Sequence, residues 1–269
     1  MKIILFGSTG MLGNYLNSYL SDKYDVLALS RDDWDLSELN EEHFSVFMHN
    51  LSISKDDVII NAAGIIKQRD YKPLDMIMVN SVFPHLLANI KKIYKCNVIH
   101  ITTDCVFDGD RGLYFESDEH NPIDDYGKSK SLGEASNLTT IRTSIIGEEL
   151  NNKKSLLEWV KSNKAVDGYT NHIWNGITCL EFSKYIDKMI TNNIYWEGVR
   201  HIFSPDNITK YELIKMISDI YDLNIIVNPT EYFQHIHRNL ETIFTNPITN
   251  SIFSQINELK NYNINERNT

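Results

Sequence analysis

The sequence predicts an α/β protein built on a doubly wound parallel sheet, followed by a smaller C-terminal region. Three observations lead there. The first half alternates short β-rich runs with longer amphipathic stretches, the pattern of successive βαβ units. The first run delivers a glycine-rich loop, GSTGMLG at residues 7–13, to the start of a helical stretch. Beyond residue 147 the alternation loosens, and loop-like segments such as GEELNNKK and NKAVDGYTNHIWNG separate fewer helices.

In chain order, strands are expected at KIILFG (2–7), DVLALS (25–30), DVIINAA (57–63), CNVIHITT (96–103) and LTTIRTS (138–144). Apolar residues at three- and four-residue spacing predict helices near 10–22, 40–53, 74–95 and 125–136. Pro84 lies inside the longest of them and predicts a kink. In the second region helices are expected near 154–162, 180–192 and 209–222, and the polar tail NYNINERNT should fray. No repeat at solenoid periods is present.

Charge and composition exclude several classes of function. Of 269 residues, 36 are Asp or Glu and 26 are Lys or Arg, a formal charge of −10. That balance argues against a nucleic-acid partner and against anionic membrane surfaces. An anionic ligand would need a locally basic pocket, for which Arg238, Arg142 and Lys67 are candidates. No window approaches the ~18 uninterrupted apolar residues of a transmembrane helix, and the apolar start breaks at Gly7, so a cytoplasmic protein is expected. Cys96, Cys105 and Cys179 lack metal-type spacing and read as free thiols in a reducing compartment. Asp104, Asp108 and Asp110 lack the remaining ligands of a calcium loop and read as a turn, so no metal is expected.

A glycine loop between a first parallel strand and a helix N-terminus offers bare backbone N–H groups and a positive dipole end to a pyrophosphate. Here Gly7, Gly10 and Gly13 follow a G-x-x-G-x-x-G spacing, with Thr9, Met11 and Leu12 between them. The second strand ends in Ser30-Arg31, where an acid would favour NAD. A hydroxyl and a guanidinium suit a 2′-phosphate and favour NADP(H), the alternative being a solvated surface arginine. The third strand ends in Asn61-Ala62-Ala63-Gly64, small residues that let the backbone approach a cofactor.

After the fourth strand comes YGKSK, which puts Tyr126 and Lys130 on one face of a helix. A phenol, with an ordinary pKa of about 10, becomes a working general acid when an ammonium stabilises its ionised form. The loop GSTGMLG, the NAAG, the run TTDCVFDG through YGKSK and the strand IRTSIIG together resemble the extended short-chain dehydrogenase/reductases, specifically the dTDP-4-dehydrorhamnose reductase branch. The resemblance is strong over residues 1–147 and thinner through 174–186 and 237–244. It implies a Rossmann-type NADP-binding domain over 1–147, carrying the catalytic residues. It also implies a mainly substrate-binding region over 148–269 that returns some helix and strand to the core.

The activity implied is reduction of the 4-keto group of a nucleotide-linked 4-keto-6-deoxyhexose. Tyr126 would be the acid, Lys130 would lower its pKa and hold the nicotinamide ribose, and Thr103 would hydrogen-bond the keto oxygen. Asp104, Asn171, Trp174 and Arg238 would line the substrate, with Arg238 on its diphosphate. Cys105 departs from the tyrosine usual in that branch. GDP-L-fucose synthase has a cysteine there and pairs it with a distal histidine, which NHIWNGI offers as His172. That second resemblance implies C3 epimerisation coupled to reduction, giving an L-rhamnose-type sugar nucleotide. The base is left open between UDP, mildly preferred, and dTDP, as are a 2-acetamido group and a homodimer. Two rivals stand beside this reading: a plain 4-reductase with Cys105 a spectator, and a non-catalytic NADP-binding regulatory subunit. Glu116 and Glu134 read as structural.

Overall fold

A computed structural model of the protein describes residues 1–68, 71–151 and 153–264. The first half runs β1 (Lys2–Phe6), α1 (Met11–Leu20), β2 (Asp25–Leu29), α2 (Glu41–Asn50), β3 (Val58–Asn61), α3 (Pro73–Ile77), α4 (Phe83–Tyr94), β4 (Asn97–Thr103), α5 (Asp125–Leu132) and β5 (Thr139–Thr143). The second half contributes β6 (Ile145–Ile146), α6 (Leu156–Ser162), β7 (Ala165–Tyr169), β8 (His172–Trp174), β9 (Ile177–Thr178), α7 (Cys179–Thr191), β10 (Gly198–His201), β11 (Ile208–Thr209), α8 (Lys210–Ile220), β12 (Ile226–Thr230), β13 (Ile236–His237) and α9 (Ile252–Tyr262).

The main sheet has the order β10-β5-β4-β3-β1-β2, every pair parallel. Its central strands β1, β3, β4 and β5 are buried on both faces, as a sheet covered by helices on both sides requires. Ile3, Leu5, Val58, Ile60, Ile99 and Ile101 turn toward a core closed by α1, α7, α8 and α9. Ile4, Phe6, Ile59 and Val98 turn the other way, against α2 and α4. Strand order reverses at β1, flanked by β2 and β3, and in such sheets the crevice beyond the carboxyl ends at that point receives the ligand. Three small sheets, β11-β8-β13, β12-β7 and β6-β9, belong to the second half, from which Ile145, Ser155 and Leu156 line the crevice.

Several elements differ from expectation. The long helix over 74–95 departs from α geometry in a π turn at Met78–Val82, directly before Pro84, whose missing N–H is tolerated at the start of α4. The π turn lets the buried Asn80 side chain bond both Ile65 N (2.9 Å) and Ile65 O (2.9 Å). Strand β10 and helix α9 were absent from the sequence reading. Of the tail expected to fray, Asn261 and Tyr262 continue α9, and residues 265–269 lie outside the described residues.

Arg142, a candidate for a basic pocket, is instead buried beneath the sheet edge, its side chain 1 % exposed. It donates to both oxygens of Glu134 at 3.1 and 2.6 Å, to His201 Nε2 at 2.6 Å and to His120 Nε2 at 2.7 Å. His201 Nδ1 donates to the Glu241 carbonyl, and burial pulls this imidazole down to about 4, so it stays neutral and accepts from the guanidinium. Glu116 receives His201 N and the Thr242 hydroxyl. The cluster ties β5, β10, the end of α5 and the 240–243 segment into one unit. Removing one partner of a buried pair leaves an uncompensated charge. Glu134→Leu should therefore cost about 3–5 kcal/mol in urea denaturation, and Glu134→Leu with Arg142→Met should recover over half. A loss below about 0.5 kcal/mol for the single variant, the size of an ordinary surface change, would remove the cluster as a support.

Candidate active site

A cleft of about 500 Å³ opens along the carboxyl ends of β1 to β5. One wall is the glycine loop. Gly7 has φ +77°, and a Cβ there would stand 2.6 Å from the Ala63 backbone, so only glycine lets the loop close on the strand beside it. Gly13 packs on the Gly7 carbonyl, where a Cβ would sit 2.0 Å away; it holds α1 to the loop and does not line the cleft. Gly10 is the N-cap of α1 and has no side-chain cap, so the first amides of α1 are left without a side-chain acceptor. That cradle fits a phosphate group. Thr9, Met11, Leu12, Ala62, Ala63 and Gly64 line it. Asn61 lies behind the wall, receiving Ala63 N at 3.1 Å and meeting His100 Nδ1 at 3.1 Å, so it shapes the strand end.

Ser30 and Arg31 close one end. Arg31 is largely exposed, and its Nε bonds Asp35 Oδ2 at 2.8 Å, with Ser37 beside it. Ser30 donates from both N and Oγ to Asp33 Oδ2. The Arg31 guanidinium thus faces the cleft as a donor for a phosphate monoester, beside a Ser30 hydroxyl whose proton is held by Asp33.

At the other end stand Thr103, Asp104, Cys105, Tyr126 and Lys130. Thr103 ends β4; its hydroxyl donates to Asp104 Oδ1 (3.1 Å) and accepts from Cys105 N (3.2 Å). Tyr126 and Lys130 project from α5, whose N-terminus is capped by Asp124 accepting from Gly127 N at 2.8 Å. Lys67, a second candidate for the basic pocket, is paired with Asp124 at 2.9 Å. Burial pulls Lys130 down to about 8 against the opposing pull of Glu134, and its ammonium donates to Ile101 O at 2.7 Å. Burial also pushes the Tyr126 phenol well up, Cys105 adds to the rise, and the Thr103 hydroxyl opposes it. The expected lowering of that phenol by Lys130 is therefore not met in the protein alone. Desolvation of the phenolate outweighs an ammonium aimed at a carbonyl. A protonated phenol is nonetheless the form that can give a proton to an alkoxide.

The Cys105 thiol is pushed up to about 12, first by burial and next by Asp104, with Arg238 opposing. Arg238 follows β13 and reaches back: Nε donates to Phe107 O at 3.0 Å and Nη1 lies 3.7 Å from Cys105 Sγ. His172, on β8, is flanked by Tyr169 and Tyr232 with ring centroids at 4.7 and 5.3 Å. Its Nε2 donates to Gln234 O at 3.3 Å, which leaves Nδ1 with the lone pair. Burial lowers its pKa, and Lys210 and Arg238 nearby add to that. No described contact joins His172 to Cys105.

Two predicted substrate residues have other tasks. Trp174 is buried in the core at 3 % exposure, its indole donating to Ser144 Oγ at 2.8 Å, so no stacking face is free. The Asn171 amide exchanges hydrogen bonds with Tyr232 N and O and pins that loop. Lys210, at the start of α8, was missed. It sits on the Trp174 ring at 4.6 Å, in the field of Asp104, Cys105 and Arg238. The only sequence signal there was T-K-Y-E, which reads as a helix start.

The sequence profile of the RmlD substrate binding domain matches residues 1–235. A dTDP-4-dehydrorhamnose reductase of Aggregatibacter actinomycetemcomitans is 29% identical over 235 residues, 81% of this chain and 78% of that protein. One of Mycolicibacterium smegmatis is 33% identical over 138 residues, 49% of this chain but only 40% of that protein. Among solved structures, a Clostridium acetobutylicum dTDP-4-dehydrorhamnose reductase superposes with a TM-score of 0.81 at 21% identity, covering 97% of this chain and 99% of that one. A Bacillus anthracis dTDP-4-dehydrorhamnose reductase in complex with NADP superposes at 0.82 and 20% identity, with the same coverage. With that match over most of its length and a Rossmann-like α/β fold, the chain belongs to the RmlD family.

Proposed function

We propose that the protein is an NADPH-dependent reductase of the 4-keto group of a nucleotide-linked 4-keto-6-deoxyhexose, with dTDP as the linked nucleotide and UDP the alternative. The observation that carries this reading is the convergence of Thr103, Tyr126 and Lys130 on one cleft with the glycine loop and Ser30-Arg31. The base follows the names of the relatives, and the 2-acetamido group stays an open variant. Residues 1–147 are read as the cofactor-binding half and 148–269 as mainly the substrate half. NADPH, when bound, supplies the hydride. Gly10 and the first turn of α1 would hold its pyrophosphate, and Arg31 with Ser30 its 2′-phosphate.

Thr103 and Tyr126 are placed to receive the keto oxygen between a hydroxyl and a phenol. As negative charge develops on that oxygen, Tyr126 transfers its proton to it. Lys130, cationic below about 8, steadies the phenolate that remains. A finer reading adds epimerisation at the neighbouring carbon. It is favoured by Cys105, whose backbone N–H bonds the Thr103 hydroxyl, and by the free Nδ1 of His172. An enolate oxygen held by Thr103 and Tyr126 would make that C–H acidic, the neutral imidazole would take the proton, and the protonated thiol would return one from the other face. The regulatory-subunit reading is disfavoured by the complete Thr103, Tyr126 and Lys130 set.

Three outcomes test these assignments. Tyr126→Phe should lower NADPH oxidation on a dTDP-4-keto-6-deoxyglucose substrate by about 10²–10⁴-fold. Retention of full rate would remove Tyr126 as the acid, and no absorbance loss in the native protein with any dTDP or UDP substrate would overturn the reductase. Arg31→Ala should raise KM for NADPH by about 10-fold or more while leaving NADH unchanged, since a charged hydrogen bond contributes roughly 1.5–3 kcal/mol. An equal effect on both cofactors would assign Arg31 a structural part. In deuterated water, Cys105→Ser should lose the product that is both labelled and inverted at carbon three, read by NMR, while exchange without inversion through His172 can remain; undiminished inversion would make Cys105 a spectator.

A further inference from the structure

Lys210 occupies a costly position. As the first residue of α8 it sets a cation against the positive end of the helix dipole. The capping box does not need it: Thr209 accepts from Glu212 N at 3.1 Å, and Glu212 accepts from Thr209 N at 2.7 Å. Half-buried, its ammonium is pulled down to about 8, chiefly by burial. Among the described residues no carboxylate lies within ion-pair reach of it, and it rests on the Trp174 ring instead.

Arg238 is in the same condition. Among the described residues it has no carboxylate partner, and its Nη2 group has no hydrogen bond. The two cations repel one another; buried Asp104 lies in the field of Lys210, and Asp108 and Asp124 lie in the field of Arg238 without pairing with it. A chain of net charge −10 thus keeps two unpaired cations together beside Cys105. The free donors are three on Lys210 and two on Arg238 Nη2, more than one carboxylate takes up and suited to the many acceptor oxygens of a diphosphate.

We propose that Lys210 is a further binding residue for the diphosphate of the sugar-nucleotide substrate, held at its height by Trp174 and completing a two-cation seat with Arg238, which the family resemblance already assigns to that group. This rests on the sugar-nucleotide reading above. The test is calorimetric titration of the full-length, NADPH-loaded protein with dTDP, UDP and inorganic pyrophosphate, with thymidine as an uncharged control. Lys210→Met, which keeps the stem on Trp174, should weaken dTDP or UDP at least tenfold, leave NADPH affinity within twofold, and be partly rescued by Lys210→Arg. Unaltered nucleoside-diphosphate affinity in Lys210→Met overturns the seat, as does native protein that binds none of the three anions. Native protein that binds pyrophosphate through Lys210 but neither nucleotide upholds the cation pair while overturning the sugar-nucleotide reading.

Discussion

The site depends on how closely α5 can approach the ends of β4 and the π turn. Two glycines set that distance. A Cβ at Gly127 would lie 2.2 Å from the Cys105 carbonyl, and one at Gly133 would lie 2.0 Å from the Asn80 carbonyl. Backbone therefore meets backbone at both ends of the helix, and no side chain holds them apart. Tyr126 and Lys130, one turn apart between these contacts, are carried to Thr103 and to the Ile101 carbonyl as a rigid pair. The Glu134 and Arg142 pair clamps the C-terminal end of the same helix to β5. The spacing Y-G-x-x-K with G-E after it records a packing requirement as much as a chemical one.

Burial then sets the chemistry of each group. Tyr126 and Cys105 are pushed up and Lys130 and Lys210 are pulled down, all chiefly by desolvation. The common direction is toward the neutral form. In the protein alone the phenol and thiol therefore keep their protons near neutrality, and the lysines, at about 8, stay mostly cationic there. Such a site holds protons ready to give to an oxygen gaining charge, the requirement of ketone reduction. The same desolvation makes the unpaired cations beside Cys105 sensitive to any anion that arrives.

Much of the fold was legible because its signal is local. The five strands of the first half are short runs rich in β-branched residues, and their bounds moved by one or two residues. Strand β10, with sequence GVRH, was hidden because its arginine and histidine are explained only by neighbours distant in sequence: Arg200 lies between Trp196 and Phe244, and His201 bonds Arg142. Gly7, Thr9, Gly10, Ser30-Arg31, Thr103, Tyr126 and Lys130 line one cleft because each sits at a strand end or helix start, where position along the chain fixes position in space. Trp174, Asn171 and Arg142 were misplaced for the converse reason. For Trp174 and Asn171 the direction depends on packing around β8 and β13, and for Arg142 on Glu134, His120 and His201, none of which the local spacing encodes.

Lys210 shows where local rules and the fold disagree. Every local rule at the start of α8 favours Thr209 and Glu212, and a cation between them opposes the dipole. Consistency between levels is what a stable sequence maintains, and a violation without compensation inside the chain points outside it. Arg142 makes the contrast plain. It is the more deeply buried cation, yet Glu134, His120 and His201 occupy its donors, so it is complete without a ligand. Lys210 and Arg238, less buried, lack any such set among the described residues. Compensation within the chain therefore separates structural cations from those left for a ligand, and burial alone does not.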